Sequence, residues 1–128
     1  MFVQRFSNGD AAPMAAEVFW AVFGPHVERP EPELDFWRAR VADGGEADIY
    51  AGVAGPSLDS LMISRFSTGT VLELLVEFVR RAGAVIMPPG CPTLLIDEKQ
   101  ARELPEELRA DVAVVSSGSD IEAILRSC

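Results

Sequence analysis

The sequence has few of the residues that build disulfide frameworks, metal sites or nucleic-acid-binding surfaces. Its 128 residues include two cysteines and one histidine, and 20 acidic residues stand against 11 Lys and Arg. Two cysteines do not make a disulfide framework, and one histidine offers no zinc-ligand spacing, so we expect no metal. The net charge of −9 argues against nucleic acid as a partner, because contacts to phosphate supply most of that affinity.

Long apolar runs are also missing. The most apolar stretch of helical character, residues 71–79, is interrupted by Glu73 and Glu77, so we predict no membrane span. Near the start, Arg5, Asn8 and Asp10 stand where a signal peptide keeps an unbroken apolar core. We therefore expect a cytoplasmic protein that does not associate with membranes.

The composition is that of one ordinary globular domain. Hydrophobic residues make up 48% of the chain and charged residues 24%. A chain of this length buries enough surface to fold without disulfides or metals, although the two cysteines are free to pair. No repeat or long linker divides it, so we predict a single globular domain over residues 1–128.

The pattern of apolar residues predicts an α+β fold with the order β-α-β-β-β-α-β-α-β-α. Asp10 is expected to cap a first helix that ends at Gly24. Asp43-Gly44-Gly45 is a hairpin signal, and residues 34–66 are expected to form an antiparallel three-stranded meander. A buried helix should run from about Thr70 to Ala82, with Thr70 and Glu73 at the spacing of a capping box.

The second half alternates strands and helices, which completes the expected mixed sheet. Ser119 and Glu122 repeat the capping-box spacing before the last helix. The last two strands are expected to be parallel and to lie at the centre of the sheet. The segment HVERPEPE, before the meander, has the composition of a proline-rich acidic connector.

The stretch PPGCP places Cys91 in a stiff turn. Proline at the second position and Gly90 at the third are typical of a type II turn, so backbone geometry explains these residues without the thiol. Cys91 follows the apolar strand AVIM, and ligands of α/β sheets bind beyond the carboxyl ends of strands. A nucleophilic Cys91 is therefore a candidate, but a structural or incidental thiol is the favoured interpretation.

Two similar loops join a strand to a helix and are rich in hydroxyl groups. Such loops suit an anionic ligand, because free backbone N–H groups at a helix N-terminus attract negative charge. Neither loop matches a phosphate-loop or dinucleotide motif, and we expect no cofactor. The favoured interpretation is helix capping, and the candidate ligand-binding residues are Ser67, Thr68, Gly69, Ser116, Ser117 and Gly118.

Adjacent aromatic residues mark the predicted hairpin. Phe36 and Trp37 lie next to each other on one strand, so they must point to opposite faces of the sheet. Either a second layer covers both faces or one aromatic residue is exposed. Aromatic residues and arginine are enriched at interface centres, and the candidate interface residues are Phe36, Trp37, Arg38, Arg40 and Tyr50.

The leading hypothesis is therefore an acidic protein that acts by protein–protein binding, either to a second copy of itself or to a basic partner. We expect the hairpin to carry the binding surface and expect no enzyme activity. The alternative hypothesis is a small enzyme or ligand-binding protein with a pocket near Cys91 and the two hydroxyl-rich loops.

Overall fold

A computed structural model describes all 128 residues and shows an α+β fold with one mixed sheet, as predicted. Eleven strands occur along the chain: β1 Phe2–Ser7, β2 Asp10–Ala12, β3 Met14–Ala15, β4 Val27–Glu31, β5 Phe36–Arg40, β6 Glu46–Ala51, β7 Ser57–Leu58, β8 Leu61–Ser64, β9 Val85–Met87, β10 Thr93–Leu95 and β11 Val112–Val114. The α-helices are α1 Ala16–Val22, α2 Thr70–Ala82 and α3 Gly118–Ser127, and short 3-10 helices span Gly24–His26, Pro32–Leu34, Glu98–Glu103 and Glu106–Leu108.

The main sheet has the strand order β11-β10-β9-β1-β8-β6-β5-β4, and β2 pairs with β1 outside this path. The predicted meander is confirmed, since β5 pairs with β6 and β6 with β8, all antiparallel. Only β10 and β11 are parallel. The last two predicted strands correspond to β9 and β11. Strand β9 is interior but antiparallel to both of its neighbours, and β11 is parallel to β10 but lies at the sheet edge, so the prediction is wrong in orientation for β9 and in position for β11.

The N-terminal region differs from the prediction. Asn8 and Gly9 have φ angles of 52° and 84° and connect β1 to β2, with Ser7 opposite Asp10. Positive φ at both residues is what a two-residue hairpin requires, and Asn-Gly is its strongest signal. Asp10 is therefore paired in a strand instead of capping a helix. The first helix begins later, at Ala16.

One face of the main sheet packs against the α-helices. Helix α2 contributes most to this contact, because seven of its 13 residues are buried. The sheet contributes Val3, Ile49, Leu61, Ile63 and Ile86 to the same core cluster as Phe19 of α1, Leu75 and Phe78 of α2 and Ile121 of α3. No helix is long and apolar enough to cross a membrane.

The opposite face of the sheet is covered only at one end. There the two 3-10 helices between residues 98 and 108 pack Leu104 onto Val85 and Leu95 as a separate small core. Asp97 starts this segment with a capping box, since its carboxylate accepts from Lys99 and Gln100 returns a side-chain contact to Asp97. Strands β1, β8, β6 and β5 have no α-helix on this side.

Candidate binding surface

Five apolar side chains form a row across the face of the sheet that has no α-helix, which we name the open face. They are Phe36, Tyr50, Met62, Phe2 and Met87. Strand register makes the row continuous, because Tyr50 is opposite both Phe36 and Met62, and Phe2 is opposite both Met62 and Met87. Phe2 is 53% exposed and Tyr50 40%, and the rings of Phe36 and Tyr50 lie 5.2 Å apart. Five strands at ordinary sheet spacing make the row about 19 Å long.

Phe36 and Trp37 point to opposite faces, as strand alternation predicts. Trp37 lies on the helix side, is 6% exposed, and its Nε1 donates to the carbonyl of Ala51 at 2.9 Å. It therefore offers almost no area to a partner on the open face. The aromatic groups of the hairpin on the open face are Tyr50, which is exposed, and Phe36, which is half-buried, and strand pairing places them side by side.

Charged side chains continue the open face beyond the aromatic pair. Arg38 contacts Glu46 at 2.5 Å and Asp48 at 3.4 Å, and Arg40 pairs with Glu46 and Glu28. These hydrogen bonds from the guanidinium groups, first that of Arg38, lower the pKa of Glu46. Both candidate arginines thus have acidic partners within the chain and leave little free positive charge for a ligand.

The acidic excess lies at the other end of the row. Residues 97–111 contain six acids against three bases, which leaves a net charge of −3. Glu98, Glu106 and Glu107 take part in no ion pair. This segment packs on the same side of the sheet as the row, and Met87 contacts the small core beneath it. An apolar row therefore meets a border with a net negative charge.

The hairpin is not at the edge of the sheet. The segment predicted as a proline-rich connector instead forms β4, which pairs with β5 and is the outermost strand. Its register shifts between Val27 and Arg29, and it carries Pro30 and charged residues. Bulges, proline and charge are the features that keep an edge strand from pairing with another chain. Strand-to-strand association through the hairpin is thus blocked.

Cys91 is bonded to Cys128, with Cα atoms 5.3 Å apart. The turn has the expected form, since Gly90 has a φ of 75° and the Cys91 N–H donates to the Pro88 carbonyl. Neither cysteine is free, so Cys91 presents no thiolate for nucleophilic chemistry. Sequence spacing gave no signal for the pairing, which depends on the end of α3 returning to the turn after β9.

The two hydroxyl-rich loops lie beside each other, and the protein's own carboxylates occupy their N–H groups. Asp43 accepts from the N–H of Thr70 at 3.1 Å, and Glu73 accepts from that of Gly118 at 2.7 Å. Asp120 accepts from both the N–H and the hydroxyl of Ser116. Three carboxylates around two helix N-termini oppose an anionic ligand, and these contacts support the capping interpretation.

The caps differ in detail from the predicted capping boxes. Helix α2 has Gly69 at its N-cap, and Asp43 from the β5–β6 turn replaces the expected Thr70–Glu73 pair. Helix α3 begins two residues earlier than the spacing of Ser119 and Glu122 predicted. Its N-cap is Ser117, whose hydroxyl accepts from the N–H of Asp120. A cap supplied by a carboxylate distant in sequence leaves no local sequence pattern. This explains why the cap of α2 was predicted wrongly.

The bond from Thr70 to Asp43 predicts a pH dependence of stability. The N–H groups of Thr70 and then Gly45 donate to this carboxylate and lower the pKa of Asp43. A depressed folded-state pKa stabilises the fold above the ordinary carboxyl pKa of about 4, and this stabilisation is lost as pH falls from that value through the lower folded-state pKa. We expect Asp43→Asn to lower the melting temperature at pH 7 and the deficit to shrink towards pH 3.

The control for this prediction is Asp59→Asn, because the Asp59 carboxylate accepts no hydrogen bond in the fold. Melting curves of both variants and the wild type between pH 3 and 7 provide the measurement. A deficit for Asp43→Asn that stays constant over this range would show that its charge is not coupled to folding.

The clefts of the structure lie away from the pocket predicted near Cys91. One is lined by Arg5, Gly83 and Gln100, a second by Trp20 and Trp37, and a shallow third by Val18 and Arg81. His26 lies in the 3-10 helix after α1 and accepts or donates no side-chain hydrogen bond. No group of three His, Cys, Asp or Glu residues is arranged to hold a metal ion.

Comparison of the chain with protein-family models, with curated proteins and with solved structures finds no significant match.

Proposed function

We propose that this protein binds a basic protein partner through the open face of its sheet. The observation that carries the proposal is the row of five apolar side chains from Phe36 to Met87, of which Phe2 and Tyr50 are exposed and the others half-buried, on a face that no α-helix covers. Exposed apolar patches with polar rims are typical of protein interaction sites. Aromatic residues and methionine, which make up this row, are enriched in interfaces.

The charge of the chain favours a basic partner over a second copy. The net charge is −9, and the unpaired acids of residues 97–111 border the row. A second copy would bring the same negative charge to the interface, and like charges across an interface oppose association. The edge strand β4, with Pro30 and its register shift, gives no support to a dimer formed by strand pairing.

The proposal predicts which mutations weaken the affinity for the partner. A partner isolated from the native cell by cross-linking is purified and titrated calorimetrically into the full chain. We expect a basic protein whose affinity falls about tenfold or more for Tyr50→Ser, as central aromatic contacts do in interfaces. Association should also slow as salt is raised, because screening weakens steering by the acidic border.

The matched control is Trp20→Ser. Trp20 is an aromatic residue with 44% exposure, similar to Tyr50, but it lies on α1 at the other side of the sheet. This variant should bind the partner as the wild type does. Equal losses for Tyr50→Ser and Trp20→Ser would overturn the proposal, as would a partner that is acidic. Sedimentation that gives twice the chain mass for wild type and one chain mass for Tyr50→Ser would identify a second copy as the occupant.

Location is a separate proposal. The sequence-based expectation is the cytoplasm, where thiols are kept reduced, whereas the Cys91–Cys128 disulfide supports an oxidising compartment. Intact native cells are treated with an alkylating agent before lysis, and the mass of the protein is then measured. The number of alkylated cysteines distinguishes the cytoplasm from an oxidising compartment. Two alkylated cysteines would support the cytoplasm, and an unmodified pair would support an oxidising compartment.

A further inference from the structure

A cleft on the helix side of the sheet is built from both tryptophans of the chain. It has a volume of about 390 Å³ and is lined by Trp20, Pro32, Asp35, Trp37, Val53 and Ala54. This volume lies in the range of small-molecule sites, which are mostly apolar with few polar groups. The only charged side chain in the lining is that of Asp35.

The two indoles form a rigid corner in this cleft. Their ring centroids lie 5.3 Å apart, and their planes meet at 82°. Trp37 is held by its hydrogen bond to Ala51, and Phe19 packs edge-on against Trp20 with a centroid distance of 5.1 Å. Gly24 lies under Trp20, where an added Cβ would be 3.4 Å from Cε3. An indole that is 44% exposed is thus fixed in place before any ligand arrives.

Asp35 supplies an uncompensated negative charge at the rim. Its carboxylate takes part in no ion pair and accepts no hydrogen bond, although most of the chain's arginines have an acidic partner. The residue has a φ of 51° and ends the 3-10 helix that carries Pro32. Gly52 faces it, since an added Cβ there would be 3.4 Å from Asp35 Oδ2.

We infer that this cleft binds an organic cation: a quaternary ammonium group or the ammonium or guanidinium end of a side chain. The face of an indole attracts a cation through the ring quadrupole, and tryptophan is the strongest aromatic partner. Trp20, at 44% exposure, is the accessible indole of the cleft, Trp37 lines it with 6% of its surface exposed, and the Asp35 carboxylate supplies a counter-charge. The inference goes beyond the open-face proposal and does not depend on it, because the cleft and the row lie on opposite sides of the sheet.

The test uses the intrinsic fluorescence of the full chain, since its two tryptophans both line the cleft. Choline chloride is titrated at constant ionic strength against sodium chloride, and 3,3-dimethylbutan-1-ol serves as the neutral isostere of choline. We expect a saturable fluorescence change with choline and shifts of both indole N–H signals by NMR. The neutral isostere should bind at least about fivefold more weakly, because it has no charge to interact with the indole ring and a cation–π contact contributes about this factor to affinity.

Variants separate the two parts of the site. Asp35→Asn keeps a residue type that tolerates positive φ, and it should weaken choline binding by about threefold. Trp20→Ser should weaken it by about fivefold or more, with Trp37 left as the reporter. Glu33→Gln, which removes a nearby charge outside the cleft, and Tyr50→Ser, on the open face, should leave choline binding unchanged.

The source of the cation is read from parallel titrations with N-acetyl-lysine methylamide and N-acetyl-arginine methylamide. Tighter binding of either compound than of choline assigns the cleft to a side chain, and the reverse order assigns it to a quaternary ammonium ligand. Equal binding of choline and its neutral isostere, no saturable change with any cation, or an equal loss in Glu33→Gln and Asp35→Asn would each overturn the inference. Loss of partner binding in Tyr50→Ser with unchanged choline binding keeps the two proposals distinct.

Discussion

Replacing Cys91 by serine is expected to lower the free energy of unfolding by about 3–4 kcal/mol, the entropic effect of opening a loop of this length. The bond joins residues 37 positions apart and fastens the end of α3 to the turn after β9. Helix α3 needs such an attachment, because Gly118 and Ile121 are its only buried residues. Urea unfolding of the oxidised wild type and the variant provides the measurement.

Two further variants test whether the bond is the cause. Cys128→Ser and the double variant should each match Cys91→Ser, since each removes the same bond and the effects cannot add. Gly90→Ala should lower the free energy of unfolding less, by about 1 kcal/mol. It strains only one residue at positive φ, and the added Cβ meets open space. The sequence favoured a structural or incidental thiol at Cys91, whereas its bond to Cys128 gives the cysteine a larger expected effect than the turn glycine. Additive losses, or a wild type insensitive to dithiothreitol, would contradict the disulfide.

The second large effect is expected from Leu75→Ala, at about 2–5 kcal/mol, as for other fully buried leucines. Leu75 has no exposed surface and lies in α2, the helix that packs against the main sheet, α1 and α3. Truncation removes its contacts and leaves a cavity that the surrounding sheet cannot close. Denaturant unfolding of the reduced and oxidised protein should show the same loss.

Leu74→Ala is the matched control for this prediction. The residue is the same type in the same helix, but it is only half-buried. Its truncation removes fewer contacts and opens no enclosed cavity, so we expect a clearly smaller loss. Equal losses for the two leucines would mean that helix propensity and not core packing determines the effect.

Local patterns predicted much of the fold. The apolar face of α2, the Asp43-Gly44-Gly45 turn and the antiparallel meander follow from periodicity and turn chemistry, which act between residues close in sequence. One error occurred where two local signals competed. Asp10 suits a helix cap, but Asn8-Gly9 before it forms a hairpin that places Asp10 in a strand. The capping side chain of α2 came from Asp43, far outside any local window.

The amino-acid sequence alone is enough to place Phe36 and Trp37 on opposite faces, because successive side chains alternate along any strand. Which of the two is buried depends on how the elements pack, since the helices lie on the side of Trp37 and leave Phe36 half-buried beside Tyr50. The same holds for Cys91, whose turn is local but whose bond to Cys128 requires α3 to return across the fold. Contacts between distant residues depend on how the elements pack together, and no local pattern of residues encodes that packing.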